Sequence, residues 1–134
     1  MAKEFQLEIL TPDKKAFSGP VSYVKACGVE GYFGILVNHA PMLSALQIGE
    51  LEVEAENKRQ FFAVSGGFLE VLRNHVSILA ETAEPASSID VARAETSKER
   101  AEERMKLKTV EVDFDRAQFA LFRSLNRLKI SKKM

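Results

Sequence analysis

The hydrophobic period of this chain changes once, near residue 88, and that change constrains the fold more than any other feature. Before it, Phe5, Leu7 and Ile9 alternate with Gln6, Glu8 and Leu10, and Leu51, Val53 and Ala55 alternate with Glu50, Glu52, Glu54 and Glu56. Period two belongs to half-buried strands. After it, Phe114, Ala117, Leu121, Leu125 and Leu128 recur at steps of three and four, the period of an amphipathic helix. The pattern predicts an α+β chain: an N-terminal antiparallel β-sandwich of about 8–10 short strands over residues 1–86, then a C-terminal two-helix antiparallel hairpin over 87–134.

Turn chemistry punctuates the first part at Thr11-Pro12-Asp13, Gly19-Pro20, Asn57-Lys58-Arg59, Gly66-Gly67 and Arg73-Asn74-His75. Gly34, inside the apolar run Phe33 to Leu36, marks a bulge or a close backbone approach. The acidic side of the Leu51 strand reads as a solvated outer face. In the second part, Ser87 or Ser88 is placed to cap a first helix from Ile89 to Lys106, with Asp90 in its first turn. Thr109 to Glu111 form the link, and Asp113 is placed to cap a second helix that runs to Ser131. The apolar stripe of helix two, widened by Phe119, Phe122 and Ile130, is too greasy to stay in water, and helix one is too thinly apolar to cover it. The hairpin must therefore pack on the sandwich, on another protein, or alternately on both.

Several function classes fall away. A single cysteine, Cys27, permits no internal disulfide and reads as core filler in a strand, which suits a reducing compartment. No apolar run approaches the ~20 residues that span a bilayer, and Met1 to Glu4 lack a secretory pattern, so a soluble cytosolic protein is expected. His39 and His75, the only histidines, lie in different loops with no metal-spaced neighbours. No catalytic residue and no metal ligand is expected. Net charge is zero overall, but residues 1–88 carry net −4 and residues 89–134 net +4. The basic half is suited to an acidic surface or a phosphate. Its aromatics and cations are not interleaved as a base-stacking platform requires, so no nucleic-acid partner is expected.

The candidate site lies at the period change, in Ile89-Asp90-Val91-Ala92-Arg93-Ala94. Asp90 and Arg93 are helix neighbours, and Arg100 follows Arg93 by two turns on the same side. Arg123 and Arg127 sit one turn apart on helix two. If the helices fold together, four guanidiniums can converge on one polyphosphate. The competing reading is a solvated basic face, and no glycine-rich phosphate loop occurs in the chain.

Taken in order, Gly31-Tyr32-Phe33-Gly34-Ile35-Leu36, Asn38-His39-Ala40-Pro41, Ser65-Gly66-Gly67-Phe68-Leu69-Glu70-Val71, Asp113-Phe114 and Arg123 to Leu128 make the chain resemble, over its whole length, the epsilon subunit of the bacterial F-type ATP synthase. The resemblance implies a non-catalytic rotor subunit, peripheral on the cytoplasmic face of the cell membrane. It sits on the gamma subunit beside the c-ring and couples proton flow to ATP synthesis. Its hairpin is expected to restrain ATP hydrolysis when extended toward the alpha and beta subunits, and to permit turnover when folded on the sandwich.

In some members the folded form binds ATP as a regulatory ligand through an Ile/Leu-Asp-x-x-Arg-Ala motif, which Ile89 to Ala94 match in full. By that resemblance the adenosine end lies near Ile89 and Asp90, and the phosphates meet Arg93, Arg100, Arg123 and Arg127. Ala94 completes the motif, and Glu84 takes part five residues before Ile89. A dependence on Mg2+ is left open, as is a rotor subunit that inhibits hydrolysis without sensing ATP. Three positions depart from the family pattern: Val37-Asn38 where many members have Pro-Gly, Tyr32 at an often acidic position in a c-ring-facing loop, and Pro85 beside Glu84.

Overall fold

A computed structural model describes residues 4–107 and 114–133 of the chain. The strands are β1 (Phe5–Leu10), β2 (Lys15–Val21), β3 (Tyr23–Gly28), β4 (Gly31–Ile35), β5 (Met42–Ala55), β6 (Lys58–Leu72), β7 (His75–Ala80) and β8 (Ala83–Pro85). A short 3-10 turn, Ala86–Ser88, leads to α1 (Val91–Leu107) and α2 (Phe114–Ser131).

The strands hydrogen-bond in the order β2-β1-β7-β6-β5-β3-β4, with β8 beside β6. The sheet folds over on itself. Phe17 of β2 and Phe62 of β6 are separated by two strands in that order, yet their rings meet edge to face at 6.3 Å between centroids. Between the two layers lies one core, in which Leu7, Ile9, Val24, Val53, Val76 and Ile78 are fully withdrawn from water. The alternation in β1 gives this directly, since Phe5, Leu7 and Ile9 are all inward. Pairing is antiparallel except between β1 and β7, which run parallel.

Eight strands are present among the described residues, but β5 and β6 are not short, at 14 and 15 residues. Gly66-Gly67, expected to end a strand, lies inside β6. Both glycines adopt positive φ, +116° and +142°, so the strand turns between layers without breaking its ladder. The next turn also shifts: Glu56 and Asn57, at φ 52° and 62°, make the reversal, and Lys58 and Arg59 already belong to β6. At the Pro-Gly departure, Asn38 takes φ 63°, the left-handed conformation that glycine adopts most easily. Asn74 clamps it, accepting from the Asn38 N–H at 2.7 Å and donating to Asn38 Oδ1 at 3.0 Å.

The acidic face of β5 is solvated only toward its end, at Glu54 and Glu56. Glu50 and Glu52 are buried, because Lys133 and Arg59 reach them at 2.7 and 3.2 Å. Tyr32 lies on strand β4, not in a loop. Its phenol oxygen accepts from the Glu50 N–H at 3.4 Å, and Lys25 Nζ sits 4.9 Å over its ring. Partial burial pushes the phenol above its ordinary pKa, so it stays neutral.

The helices pack on each other, and α2 makes the hairpin's main contact with the sandwich. Ala94 and Ala101 of α1 and Ala117 and Ser124 of α2 are all buried, and their small size permits close approach. The expected link at Thr109 to Glu111 and the Asp113 cap lie outside the described residues.

Two glycine substitutions test the bend. A Cβ on Gly67 would overlap the Leu79 carbonyl, whereas one on Gly19 would approach nothing closer than 3.9 Å. Gly67→Ala is expected to cost about 3 kcal/mol or more in urea unfolding. Gly19→Ala is expected to stay within about 0.5 kcal/mol.

Candidate functional site

The stretch from Glu84 to Ala94 is where the last strand becomes the first helix, and most of its side chains have structural work. Glu84 sits in β8, opposite Ala63 of β6. Pro85 ends that strand at its pairing with Phe62, a tolerated place because the edge lacks a further partner. Ile89 follows the 3-10 turn in extended conformation and is buried with Ala63, Ala86 and Ile130. Asp90, expected in the first turn of α1, is instead its cap. Its Oδ1 accepts from the Arg93 N–H at 3.0 Å, and its carbonyl accepts from the Ala94 N–H at 3.0 Å. This displaces Ser87 and Ser88, which belong to the 3-10 turn. Ala94 is buried, as the close helix–helix contact requires.

Of the Ile89–Ala94 motif, Arg93 is thus left with its side chain uncommitted. It is exposed, as is Arg100 two turns later. Among the described residues, no ion pair or side-chain hydrogen bond engages either guanidinium.

The arginines of α2 are placed differently. Arg123 and Arg127 line a narrow cleft against Ile48, Ser65 and Thr82, with Asn126 between them. Arg127 Nε donates to Glu84 Oε1 at 2.7 Å, and both side chains are about one-third exposed, at 29% and 33%. The structure therefore joins Arg123 and Arg127 at one cleft and ties Glu84 to Arg127, with Ile89 nearby in the apolar cluster beneath α2. It does not bring Arg93 or Arg100 into described contact with them. The antiparallel hairpin does set the start of α1 beside the end of α2, as the Ile89–Ile130 cluster requires. The cleft itself is about 10 Å³, room for roughly one water.

A second cleft opens beside it, of about 710 Å³, between the first half of α2 and the bend of β5 and β6. Arg123 borders both clefts. The first half of α2 thus stands away from the sandwich while its last two turns are fastened to it.

Of the three anchors at this end of the hairpin, Ile130 was legible as part of the apolar stripe, and Asn126 and Lys133 were not. Asn126 Nδ2 donates to the Gly49 carbonyl at 2.8 Å. Gly49 is fixed there because a Cβ would lie 2.5 Å from that of Cys27. Lys133 pairs with Glu50 at 2.7 Å, and Ile130 is completely buried. The one signal in the sequence was a polar Asn126 among apolar positions of α2. Among the described residues, no group of three or more His, Cys, Asp or Glu is set to hold a metal ion. No described helix is long and apolar enough to cross a membrane.

A strand-built platform carrying a docked basic hairpin defines a class of two-part subunits, and comparison with known proteins gives its family. The family profile described as "ATP synthase, Delta/Epsilon chain, beta-sandwich domain" matches residues 4–86, and "ATP synthase, Delta/Epsilon chain, long alpha-helix domain" matches residues 87–132. The chain is 46% identical over 132 residues to the ATP synthase epsilon chain of Desulforamulus reducens, covering 98% of this chain and 100% of that one. It is 50% identical over 130 residues to the epsilon chain of Nitratidesulfovibrio vulgaris strain DP4, with 97% of each covered. A chain in the Euglena gracilis mitochondrial ATP synthase (OSCP/F1/c-ring in rotational state 1) superposes with TM-score 0.81 at 27% identity, over 93% of this chain and 81% of that one. The chain belongs to the epsilon-subunit family of the bacterial F-type ATP synthase.

The Asp90 cap can be separated from its charge. Asp90→Ala is expected to cost about 1 kcal/mol locally, read as faster hydrogen exchange of the Arg93 amide. Asp90→Asn keeps an accepting oxygen and is expected to retain most of that protection.

Proposed function

We propose that this chain is a nucleotide-sensing brake of the ATP synthase rotor. It binds the gamma subunit beside the c-ring, on the cytoplasmic face of the membrane, and its extended hairpin reaches the alpha and beta subunits to restrain ATP hydrolysis. Bound ATP stabilises the folded hairpin and relieves the restraint. The observation that carries this reading is the localised docking of α2, fastened at its last two turns and open along its first half. A small interface of that kind is readily undocked.

The sandwich supports the gamma assignment. Leu43, Phe68 and Leu79 are exposed on the neighbouring strands β5, β6 and β7, an apolar patch of the sort that marks a protein interface. The ATP assignment is supported by Arg93 and Arg100, whose uncommitted guanidiniums leave two cations free to meet phosphate oxygens. ATP that binds only the folded form adds RT ln(1 + [L]/Kd) to its stability. At tenfold over Kd this is roughly 1.4 kcal/mol, about an elevenfold shift in population.

The Glu84–Arg127 pair favours a second reading, a hairpin brake that ignores nucleotide. In it Arg127 is already neutralised by an internal carboxylate, and the cleft beside it is too small for a nucleotide. Calorimetric titration with ATP, with and without Mg2+, separates the two. The first reading expects saturable one-to-one binding, weakened about tenfold or more in Arg93→Ala and in Arg127→Ala, each of which removes a charge-assisted contact of roughly 1.5–3 kcal/mol. No binding at millimolar ATP would leave the second, and unchanged affinity in Arg93→Ala would contradict the site at Ile89 to Ala94.

A further inference from the structure

The last described residue of the chain holds a buried carboxylate. Glu50 lies in the middle of β5, and its side chain is only 7% exposed. Lys133 Nζ donates to its Oε1 at 2.7 Å. The same ammonium sits 5.1 Å over the Phe61 ring, on β6. Among the described residues, Lys133 is the one cation that pairs with Glu50.

The pairing depends on the hairpin. Lys133 follows the final turn of α2, and its N–H caps the helix on the Ile130 carbonyl at 2.9 Å. Lys133 reaches Glu50 only while Ile130 is seated among Ala63, Ala86 and Ile89. A carboxylate that far from water needs a compensating cation. Removing one partner of such a pair penalises the docked state strongly, because the other charge is left behind. The undocked state carries no such penalty, since Glu50 regains water when α2 leaves.

We propose that Lys133 and Glu50 form a latch, independent of nucleotide, that sets how readily the hairpin leaves the sandwich. The latch lies apart from the ATP motif: no residue of Ile89 to Ala94 touches Glu50 or Lys133 through any described hydrogen bond or ion pair. It ties the last residues of the hairpin to a point on β5 adjoining Gly49, whose carbonyl receives Asn126. The two bonds hold one end of α2, so that the hairpin releases as a unit once they part. The proposal rests on the hairpin being mobile and not on ATP binding.

Hydrogen exchange of α2 in the full chain, measured without nucleotide, tests it. Lys133→Met is expected to speed exchange in the last two turns of α2 at least tenfold while β1, β3 and β7 stay as protected as before. Lys133→Arg is expected to restore most of the protection. Because Glu50→Gln removes the charge that needs compensation, adding Lys133→Met to it is expected to have less than a threefold further effect. Deleting residues 133–134 offers a variant that leaves every core position intact, and it is expected to match Lys133→Met. Exchange in Lys133→Met within twofold of the parent would overturn the latch. Exchange of α2 in step with the sandwich strands in every variant would overturn the mobile hairpin, and the latch with it.

Discussion

The contact between the last two turns of α2 and the stretch of β5 and β6 around Gly49 and Ala63 governs the rest of the structure. Ile130 is fully withdrawn from water among Ala63, Ala86 and Ile89, with Phe61 packed against the group. Burying one isoleucine stabilises by roughly 1.5–3 kcal/mol. Asn126, Arg127 and Lys133 surround it with polar bonds to Gly49, Glu84 and Glu50. Beyond this cluster the helix stands off, and Phe119 and Phe122 remain exposed. Under the proposed function, a helix pair held at one end is what a ligand-driven switch requires, since a ligand can shift only an equilibrium comparable with its own binding energy.

Much of the fold was legible because it follows from period. The alternation in β1 and the three-and-four spacing in α2 are local signals: Phe5, Leu7 and Ile9 all turn inward, and Ala117 and Ile130 of α2 are buried. Elsewhere a tertiary contact overrode a local rule. Gly66-Gly67 is turn chemistry in isolation, but β6 continues through it because both glycines supply positive φ at the bend between layers. Glu50 and Glu52 alternate like a wet face, yet cations from the end of α2 and from Arg59 allow them to be buried. Neither partner is near enough in the alternation pattern to announce itself.

The candidate site divides in the same way. Ile89, Asp90 and Ala94 look like ligand residues in a motif, and in the structure each also has a mechanical role. Ile89 fills the cluster under α2, Asp90 caps α1, and Ala94 admits the close helix contact. Those roles make the motif a structural joint as well as a candidate site. Spacing along two helices placed Arg93 with Arg100 and Arg123 with Arg127, but it carries no information on which pair faces the sandwich. The α2 pair faces it, with Arg127 bound to Glu84, and the α1 pair faces water. Under the ATP-sensing proposal, that split lets one sequence pattern serve both an occupied and an empty state, since Glu84 stands in for phosphate charge when none is near.

If ATP moves the hairpin, the most direct measurement is the distance between the hairpin and the sandwich inside the assembled ATP synthase. Spin labels on the exposed positions Glu99 of α1 and Glu56 of the β5–β6 turn report it. Two distance populations are expected at low ATP, with the one characteristic of the folded hairpin growing as ATP rises and hydrolysis rising alongside it. A distance distribution that ignores ATP, while hydrolysis still responds, would contradict a nucleotide-driven hairpin.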